Sequence, residues 1–425
     1  MLDMKFIRDH AEEVKRNVER RRADVDVDAL LRADEERVAT IQRLEEVRRE
    51  RNEIAEQMKT AEKADRPALI ERGKTLKEEL GALETSANEA EGTWRSLMMR
   101  VPNMTHPDAP TGEDDSENKE VKVIGKVETL SFAPQSHVEL GKALDVLDFE
   151  RGAKVAGAKF YFIKGKLALL EQALIQWVLK EAVAEGFVPM LTPDLAKDDV
   201  LIGTGYNPRG PETQIYSIEN TDLSLVGTAE IPLGGYHKDE ILDRAKLPIK
   251  YVGLSHCFRT EAGAYGRESN GLYRVHQFDK VELFAFTTQE QSDAVHEELR
   301  AFEERIFTKL GVPFRVVDIC TGDLGGPAYR KYDLEAWMWG KGEGKGGWGE
   351  VTSASNCTDY QARRLNIRTR KDDGNTEFVH TLNGTAVATS RGLIAIMENY
   401  QQEDGSILVP EVLRPFCGFD RIEKP

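Results

Sequence analysis

The chain has 425 residues, a length that predicts two or three domains rather than one. With 40% hydrophobic and 31% charged residues it has the composition of a globular protein, and no apolar run approaches the about 18 residues of a membrane span. The formal net charge of −16 argues against a protein that binds nucleic acid through a generally basic surface, although recognition of one structured RNA needs only local basic patches.

The first 22 residues predict a short amphipathic helix. Ile7, Ala11, Val14 and Val18 recur at steps of four and three, the spacing of one helix face. Acidic residues lie among the basic ones and the apolar stretch of a signal peptide is missing, so we expect no targeting segment. We therefore expect a cytoplasmic protein with no membrane association.

From about residue 27 to residue 100 the sequence predicts a long helical hairpin. Residues 27–64 contain no proline, and the helical pattern is first interrupted at Asp65-Arg66-Pro67, which we take as the turn between the two limbs. The second limb carries apolar residues at alternating steps of four and three, the seam of an antiparallel coiled coil: Leu76, Leu80, Leu83, Ala87, Ala90, Trp94, Leu97 and Val101.

The first limb of the hairpin has a weaker pattern. Ile41, Leu44, Ala55 and Met58 fit a seam, whereas Arg48 and Arg51 interrupt it. A helix of about 37 residues is roughly 55 Å long, so the hairpin should extend beyond a compact domain. Most coiled coils of this kind are structural or dimerising, and contact with nucleic acid is the alternative.

The rest of the chain predicts a second kind of domain. Pro102 ends the hairpin, and residues 103–129, with further prolines and an acidic cluster, read as a linker. Beyond it, helical stretches such as 167–185 alternate with short β-rich runs, which indicates an antiparallel sheet with helices, an α+β domain. The predicted domains are an N-terminal helical arm over 1–102, with its hairpin at about 27–100, and an α+β domain over 130–425.

One segment of this second domain carries a pattern typical of nucleotide chemistry. Residues 257–261, a glycine-rich stretch from 262 to 272 and residues 273–282 fit two strands joined by a mobile loop. Alternation places Phe278, Lys280 and Glu282 on one face, with about 13 Å from the aromatic ring to the carboxylate. These groups could hold the two ends of an adenylate while Arg259 reaches its phosphate. A hairpin with ordinary cross-strand salt bridges is the alternative.

This segment resembles motif 2 of class II aminoacyl-tRNA synthetases, and FRTEAGAYGRE followed by RVHQFDKVE is similar to the seryl enzymes of that class. Gly186-Phe187 with Pro193 resembles motif 1, which forms the dimer interface in the class. Residues 381–385, running to Arg391, resemble motif 3. Residues 226–230 resemble the serine-binding loop of the seryl enzymes, and 409–416 are similar to their C-terminal sequence. The motifs occur in the family's order and extend over the whole chain.

The resemblance implies an α+β fold, namely an antiparallel-sheet class II catalytic domain with an N-terminal coiled-coil arm. It implies an enzyme of protein biosynthesis, a ligase that activates L-serine with ATP to seryl-adenylate and transfers the seryl group to the 3′ end of serine tRNA. Selenocysteine tRNA is a further substrate if the host has one. In the family the arm reads the long variable arm of the tRNA, the enzyme is a homodimer, and Mg²⁺ accompanies ATP.

The resemblance also implies the residues of the site. Catalytic roles fall to Arg259 and Arg391. The serine-binding residues are Thr228, Ala229, Glu230, Glu282 and Thr385. The ATP-binding residues are Arg259, Thr260, Glu261, Val275, Phe278, Glu350, Val351, Thr352, Ser353 and Arg391. Magnesium would be held by Glu350 and Ser353, hard oxygen ligands that suit the ion. Because strict alternation puts these two residues on opposite faces, both can meet one ion only if the strand has a bulge.

Other features predict no further chemistry. The glycine-rich segment 340–349 lacks the GxxxxGK spacing of a phosphate-binding loop and reads as a flexible turn. The four cysteines and eight histidines show no metal-ligand spacing. The sequence identifies no general base.

Three other functions agree less well with the sequence. A related ligase that loads a carrier protein would not need the long hairpin. A non-catalytic RNA-binding homologue should have lost Arg259, Glu282 or Arg391, and all three are present. A structural coiled-coil protein does not account for the α+β pattern of residues 130–425.

Overall fold

The computed structural model describes residues 1–207, 214–262 and 271–424. The chain divides into two compact units, Met1–Met104 and Thr105–Pro425. The loop predicted between residues 262 and 272 therefore lies mostly outside the described residues. None of the helices within the described ranges is long and apolar enough to cross a bilayer.

The first unit is helical. Its helices are α1 (Met4–Asp9), α2 (Ala11–Arg20), α3 (Val27–Thr60) and α4 (Arg66–Arg100). The side chain of Asp26 accepts hydrogen bonds from the first backbone amides of α3, and Pro67 lies in the first turn of α4, where its missing N–H costs nothing. The predicted hairpin is thus α3 and α4.

The seam of the hairpin matches the prediction on α4 and differs on α3. Leu44 and Val47 are buried against Leu76 and Leu80, and partly buried residues pack beside them: Ile54, Leu83 and Ala87. Ala55 was predicted to lie in the seam and is exposed. Ile54 takes that place, because the seam of α3 runs through Leu44, Val47 and Ile54.

The two arginines expected to interrupt the seam are both exposed. Arg48 follows a seam residue and its guanidinium donates to Glu84 of α4 at 2.9 Å. Arg51 falls on a seam position of the three-four repeat, but its long side chain keeps its charge in water. Neither arginine disrupts the hairpin.

The second unit combines strands and helices. The strands are β1 (Lys119–Ile124), β2 (Leu147–Asp148), β3 (Phe162–Ile163), β4 (Val188–Leu191), β5 (Leu195–Lys197), β6 (Leu223–Leu225), β7 (Ile241–Leu242), β8 (Ile249–Phe258), β9 (Gln277–Thr287), β10 (Phe314–Asp318), β11 (Arg330–Met338), β12 (Gly347–Asn356), β13 (Arg368–Arg370), β14 (Thr376–Phe378), β15 (His380–Ala388), β16 (Ile407–Leu408) and β17 (Arg421–Ile422).

The helices of this unit follow in the same order: α5 (His137–Ala143), α6 (Phe149–Ala156), α7 (Gly165–Ala184), α8 (Asp198–Thr204), α9 (Glu230–Gly235), α10 (Ser292–Leu310), α11 (Tyr360–Leu365), α12 (Thr389–Asn399) and α13 (Arg414–Cys417). Short 3₁₀ turns lie at Asp115–Glu117, Arg244–Lys246, Gln289–Gln291, Gly342–Gly344 and Glu411–Leu413.

The described residues form one eight-stranded sheet, the main sheet, in the order β1-β10-β11-β12-β15-β9-β8-β4. Its pairings are antiparallel except for β4, which pairs with β8 in parallel at the edge. Helices α7, α10 and α12 bury their apolar faces in the core of the sheet, for example through Leu174, Phe302 and Ile396. The predicted α+β class with an antiparallel sheet is confirmed.

The segment 103–129 differs from the linker that the sequence predicts. Within it, β1 pairs antiparallel with β10 at one edge of the main sheet. Apart from Ile124, the strand consists of charged residues and two exposed valines, Val121 and Val123, a composition typical of an edge strand in water and hard to distinguish from a linker in the sequence. Part of the predicted linker therefore belongs to the sheet.

Candidate active site

Strands β12, β15, β9 and β8 lie side by side in the main sheet and surround a cavity of about 360 Å³, the central cavity. Most of the residues predicted for the site line it: Glu230, Arg259, Glu261, Val275, Phe278, Glu282, Glu350, Val351, Thr352, Ser353, Thr385 and Arg391. Strands β9, β12 and β15, the starts of helices α9 and α12, and the segments that follow β8 and precede β9 thus bring distant motifs together.

Three of the predicted residues do not line the central cavity. Thr228 is fully buried and its hydroxyl accepts a hydrogen bond from the backbone N–H of Glu230 at 3.1 Å. Ala229 packs in a separate apolar cluster with Leu233. The N–H of Thr260 donates to the carbonyl of Gln214 at 3.0 Å. In this structure only Glu230 of the predicted serine-binding loop reaches the cavity.

Glu282 lies in a buried ionic cluster on β9 and β15. The ammonium of Lys280, two residues earlier on the same face of β9, is 2.6 Å from its Oε2. The hydroxyl of Thr385 donates to the same oxygen at 3.1 Å. All three residues are at most 6% exposed. Both contacts use Oε2, and none of the described residues bonds to Oε1 of Glu282, so this second oxygen is available to a substrate.

Glu230 is a second buried carboxylate at the cavity, held by three donors. The hydroxyl of Tyr206 donates to Oε2 at 2.9 Å, and the amides of Gln361 and Asn383 donate to Oε1 at 2.8 and 3.0 Å. Burial, together with the negative charge of Glu282, raises the pKa of Glu230 above its ordinary value, even though the charge of Lys280 and the hydrogen bonds from Gln361 and Tyr206 oppose the shift. A cation beside both carboxylates would favour their charged forms.

Arg259 and Phe278 form another part of the cavity wall. The guanidinium carbon of Arg259 lies 5.3 Å from the centre of the Phe278 ring, and its Nε donates to the carbonyl of Gly227 at 3.3 Å. Glu261 follows with a left-handed backbone and receives a hydrogen bond from Arg274 at 3.5 Å. The wall thus offers an aromatic face and a fixed cation close together.

Arg391 lies in the first turn of helix α12 and lines the cavity. Its Nη1 is 3.1 Å from the carboxylate of Glu350 and 3.2 Å from the carbonyl of that residue. Burial alone would raise the pKa of Glu350, but the positive charges of Arg391, Lys331 and Arg259 outweigh it and hold the pKa below its ordinary value. Glu350 therefore carries its negative charge among three cations.

A bulge in β12 brings Glu350 and Ser353 to the same face. In the pairing with β11, Thr352 is opposite Leu334 while Glu350 is opposite Glu335, so Val351 is the extra residue. Glu350 and Ser353 consequently both line the central cavity. The bulge that the predicted metal site requires is present.

Further cavity residues were not among those predicted: Tyr206, Tyr273, Lys280, Lys331 and Asn383. The alternation that placed Phe278 and Glu282 on one face also predicts Lys280 there, and Asn383 could have been found from its position inside motif 3. Tyr206 lies outside any motif and offered no signal. Among the described residues, no three Asp, Glu, His or Cys side chains are close enough to form a metal site of their own.

Comparisons with known proteins match both parts of the chain. A family model of the seryl-tRNA synthetase N-terminal domain matches residues 1–105, and one of the tRNA synthetase class II core domain (G, H, P, S and T) matches residues 215–400. A serine–tRNA ligase of Treponema denticola is 54% identical, covering 99% of this chain and 100% of the relative. One of Rhodopirellula baltica is also 54% identical, covering 99% of both chains.

Two solved structures are similar over the whole chain. The seryl-tRNA synthetase of Pyrococcus horikoshii complexed with ATP has a TM-score of 0.89 and 40% identity, with 100% of both chains covered. The cytoplasmic serine–tRNA ligase of Naegleria fowleri in complex with AMP has a TM-score of 0.84 and 31% identity, with 100% of this chain and 99% of the other covered.

Proposed function

The chain belongs to the seryl-tRNA synthetase family, and we propose that its central cavity activates L-serine with ATP and then transfers the seryl group to the 3′ end of serine tRNA. The observation that carries the proposal is the pairing of two buried carboxylates, Glu230 and Glu282, with Arg259 and Arg391 around one cavity. Carboxylates suit the ammonium of an amino acid, and arginines suit the phosphates of a nucleotide. The proposed reaction takes place in the cytoplasm.

The carboxylate end of the cavity is proposed to select serine. The free oxygen of Glu282 and the hydroxyl of Thr385 offer partners for the ammonium and the hydroxyl of the substrate. Alanine would leave these buried polar groups unpaired, a loss worth several powers of ten in rate. Threonine, which is larger by one methyl group, would be rejected by the size of the pocket.

The arginine end is proposed to bind ATP, with the adenine on the face of Phe278 beside Arg259. In the first step the serine carboxylate attacks the α-phosphorus and pyrophosphate leaves. In the second step the terminal ribose hydroxyl of the tRNA attacks the carbonyl carbon of the adenylate and AMP leaves. Arg259 and Arg391 would stabilise the charge that develops on the phosphoryl oxygens, since such transfers depend on positioning and electrostatics.

Mg²⁺ fits the face that the β12 bulge creates. Glu350 and Ser353 supply a carboxylate and a hydroxyl on one face, and phosphates could complete the oxygen shell, as is usual for this ion. We propose that these two residues hold it. The ion would neutralise phosphate charge when bound.

The helical unit is proposed to bind tRNA through the hairpin. Its family model supports this role, and the outer surface of α3 presents Arg48, Arg49 and Arg51, all exposed. Arg48 is held by Glu84, so Arg49 and Arg51 are better placed for phosphate contacts.

A homodimer through the motif 1 region is also proposed. Strand β4 lies at an edge of the main sheet, and its Val188 and Leu191 are 53% and 83% exposed. On the preceding helix α7, Leu169 and Val183 are exposed as well. Exposed apolar side chains on an edge strand and its adjoining helix are typical of a surface covered by a partner.

Two assays test the proposed function. Exchange of labelled pyrophosphate into ATP, measured with each of the twenty amino acids, should depend on serine alone. Esterification should then require tRNA. Exchange with a different amino acid, or transfer to a carrier protein in place of tRNA, would contradict the proposal.

A further inference from the structure

His137 and Glu398 form a buried pair outside the central cavity. Nδ1 of His137 on α5 is 2.7 Å from Oε1 of Glu398 on α12, and their side chains are 9% and 1% exposed. The pair lies in the wall of a second cavity of about 820 Å³, which shares Tyr273 with the central one. Neither residue has a part in the chemistry proposed above.

The hydrogen bonds around the pair define its state. The backbone N–H of Leu272 donates to Nε2 of His137 at 3.1 Å, so this nitrogen has no proton and Nδ1–H donates to Glu398. Glu398 also accepts the backbone N–H of His137 on Oε1 and that of Gly340 on Oε2, each at 2.8 Å. The pair thus joins four segments: α5, α12, the chain at Leu272 and the start of the glycine-rich turn.

Two glycines make the close approach possible. A Cβ at Gly271 would lie 2.1 Å from Nε2 of His137, and the backbone there is left-handed with a φ of +68°. A Cβ at Gly340 would lie 2.8 Å from Oε1 of Glu398. The backbone on both sides is therefore fitted to the pair.

Both segments held by the pair lead directly to Arg391. Leu272 precedes Tyr273, whose carbonyl accepts a hydrogen bond from Nε of Arg391 at 3.4 Å. Gly340 precedes Lys341, whose ammonium is 4.4 Å from the centre of the Tyr273 ring. The guanidinium of Arg391 is 4.7 Å from the same ring centre. The ring of Tyr273 thus contacts both cations. Its backbone is held by the hydrogen bond from Arg391 to its carbonyl and by the hydrogen bond of the preceding residue, Leu272, to His137.

We propose that His137 and Glu398 are positioning residues for ATP, which hold Tyr273 so that Arg391 points into the central cavity. His137 acts through the amide of Leu272 and Glu398 acts through that of Gly340. The inference depends on the proposed function only in naming ATP as the ligand of Arg391. It also gives a role to the start of the glycine-rich segment 340–349, which anchors Lys341 beside Tyr273.

Two substitutions of His137 separate its two hydrogen bonds. His137→Gln can place an acceptor near the position of Nε2 and retain the bond from Leu272, whereas His137→Asn reaches only the position of Nδ1. We expect His137→Asn to raise the KM for ATP by about ten-fold, as the loss of one buried hydrogen bond would, with the KM for serine unchanged. His137→Gln should stay within about three-fold of wild type. Amide hydrogen exchange at Leu272 should quicken in the Asn variant alone.

A matched control is available in His237. Its Nδ1 is 2.7 Å from Glu240 and its Nε2 is 2.9 Å from the hydroxyl of Tyr251, a similar geometry in a different part of the unit. His237→Asn should lower the melting temperature without changing the KM for ATP. If His137→Asn fails to fold, Glu398→Gln provides the test, because its single carbonyl oxygen cannot serve both His137 and Gly340.

Equal KM values for ATP in the Asn and Gln variants, or the same rise in His237→Asn, would overturn the proposal. So would unchanged exchange at Leu272 in His137→Asn. A wild-type protein that binds ATP but shows no serine-dependent exchange would contradict the proposed function instead. The two failures are distinguishable because hydrogen exchange and ATP binding need no serine.

Discussion

At the scale of single residues, the negative charge of Glu282 in the proposed serine pocket is neutralised by the ammonium of Lys280. Lys280 is only 6% exposed and its ammonium lies against Glu282. A buried ammonium that is left with neither a charge partner nor a hydrogen-bond acceptor costs about 3–5 kcal/mol. Replacing Glu282 by alanine would therefore disturb the fold as well as the pocket, so an amide of the same shape is the better probe.

Glu282→Gln should abolish serine activation while leaving the protein folded. The amide keeps an oxygen for Lys280 and Thr385 but loses the negative charge that a substrate ammonium needs. We expect serine-dependent pyrophosphate exchange to fall on the order of 100-fold or more, with the KM for ATP little changed. Exchange within a few-fold of wild type would show that Glu282 does not bind serine.

Glu230 should make serine binding sensitive to acid. Because burial and Glu282 raise its pKa, Glu230 takes up a proton at a higher pH than an ordinary carboxyl group. The charged form is the one that attracts an ammonium, so the KM for serine should rise as the pH falls through that raised pKa.

Glu230→Gln provides the control for this pH dependence. Its amide can still accept from Gln361 and Asn383 and can donate to the hydroxyl of Tyr206. The KM for serine should then be raised at every pH and should lose the acid-dependent rise. An unchanged pH profile in this variant would assign the effect to another group.

Sequence patterns located the site residues that lie on strands better than those in loops. Alternation along β9 placed Phe278 and Glu282 on one face, and both line the cavity. Tyr206 follows α8 and reaches Glu230 through folding alone, which no local period reveals. Thr228 belongs to a motif that the sequence did reveal, but its hydroxyl does not line the cavity. It accepts a hydrogen bond from the backbone N–H of Glu230 at the start of α9.

At the scale of elements, the predicted helices and strands differ from the structure mainly at local irregularities. The β12 bulge at Val351 was required by the chemistry of Glu350 and Ser353, but nothing in the alternation located it. In the seam of α3 the prediction chose Ala55, whereas the structure partly buries the adjacent Ile54. This part of α3 has few apolar residues, so the sequence pattern did not fix which of the two faces α4. Strand β1 was missed because its exposed, charged residues are those of an edge.

Strand β4 allows a test of the proposed dimer. Val188→Lys with Leu191→Glu would place charges at two exposed apolar positions, at no cost to a monomer but at a large cost inside an interface. Light scattering at micromolar concentration should show a dimer for the wild type and a monomer for this variant.

The opposite edge of the main sheet provides the control for the dimer test. Val121 on β1 is 47% exposed, comparable to Val188, and its strand is rich in charged residues. Val121→Glu should leave the mass unchanged. A wild-type monomer with full activity would contradict the dimer.

At the scale of the whole molecule, the two units suggest that the two proposed half-reactions can be separated. The groups proposed to contact serine and ATP all lie in the unit Thr105–Pro425, between residues 230 and 391. The hairpin core, with Leu44, Val47, Leu76 and Leu80, lies entirely in the other unit. The base of the hairpin carries further buried residues, including Leu30 and Met98, so it should be left in place.

Replacing residues 41–86 by a short glycine-rich turn should therefore remove the outer hairpin and leave its base folded. Serine-dependent pyrophosphate exchange should remain within about two-fold of wild type. Aminoacylation of serine tRNA should fall by orders of magnitude and depend less steeply on salt, because phosphate contacts made by the hairpin would be lost. Arg49→Ala and Arg51→Ala should change aminoacylation in the same direction by smaller amounts.

The remaining outcomes of the deletion distinguish the competing explanations. Normal aminoacylation by the shortened protein would show that the hairpin does not recognise tRNA. Loss of exchange together with aminoacylation would show that the second unit depends on the first, and a lowered melting temperature would attribute that dependence to folding. Loss of aminoacylation alone supports the proposed division, because amino-acid activation needs only the central cavity whereas a tRNA substrate offers phosphates that the outer hairpin can bind.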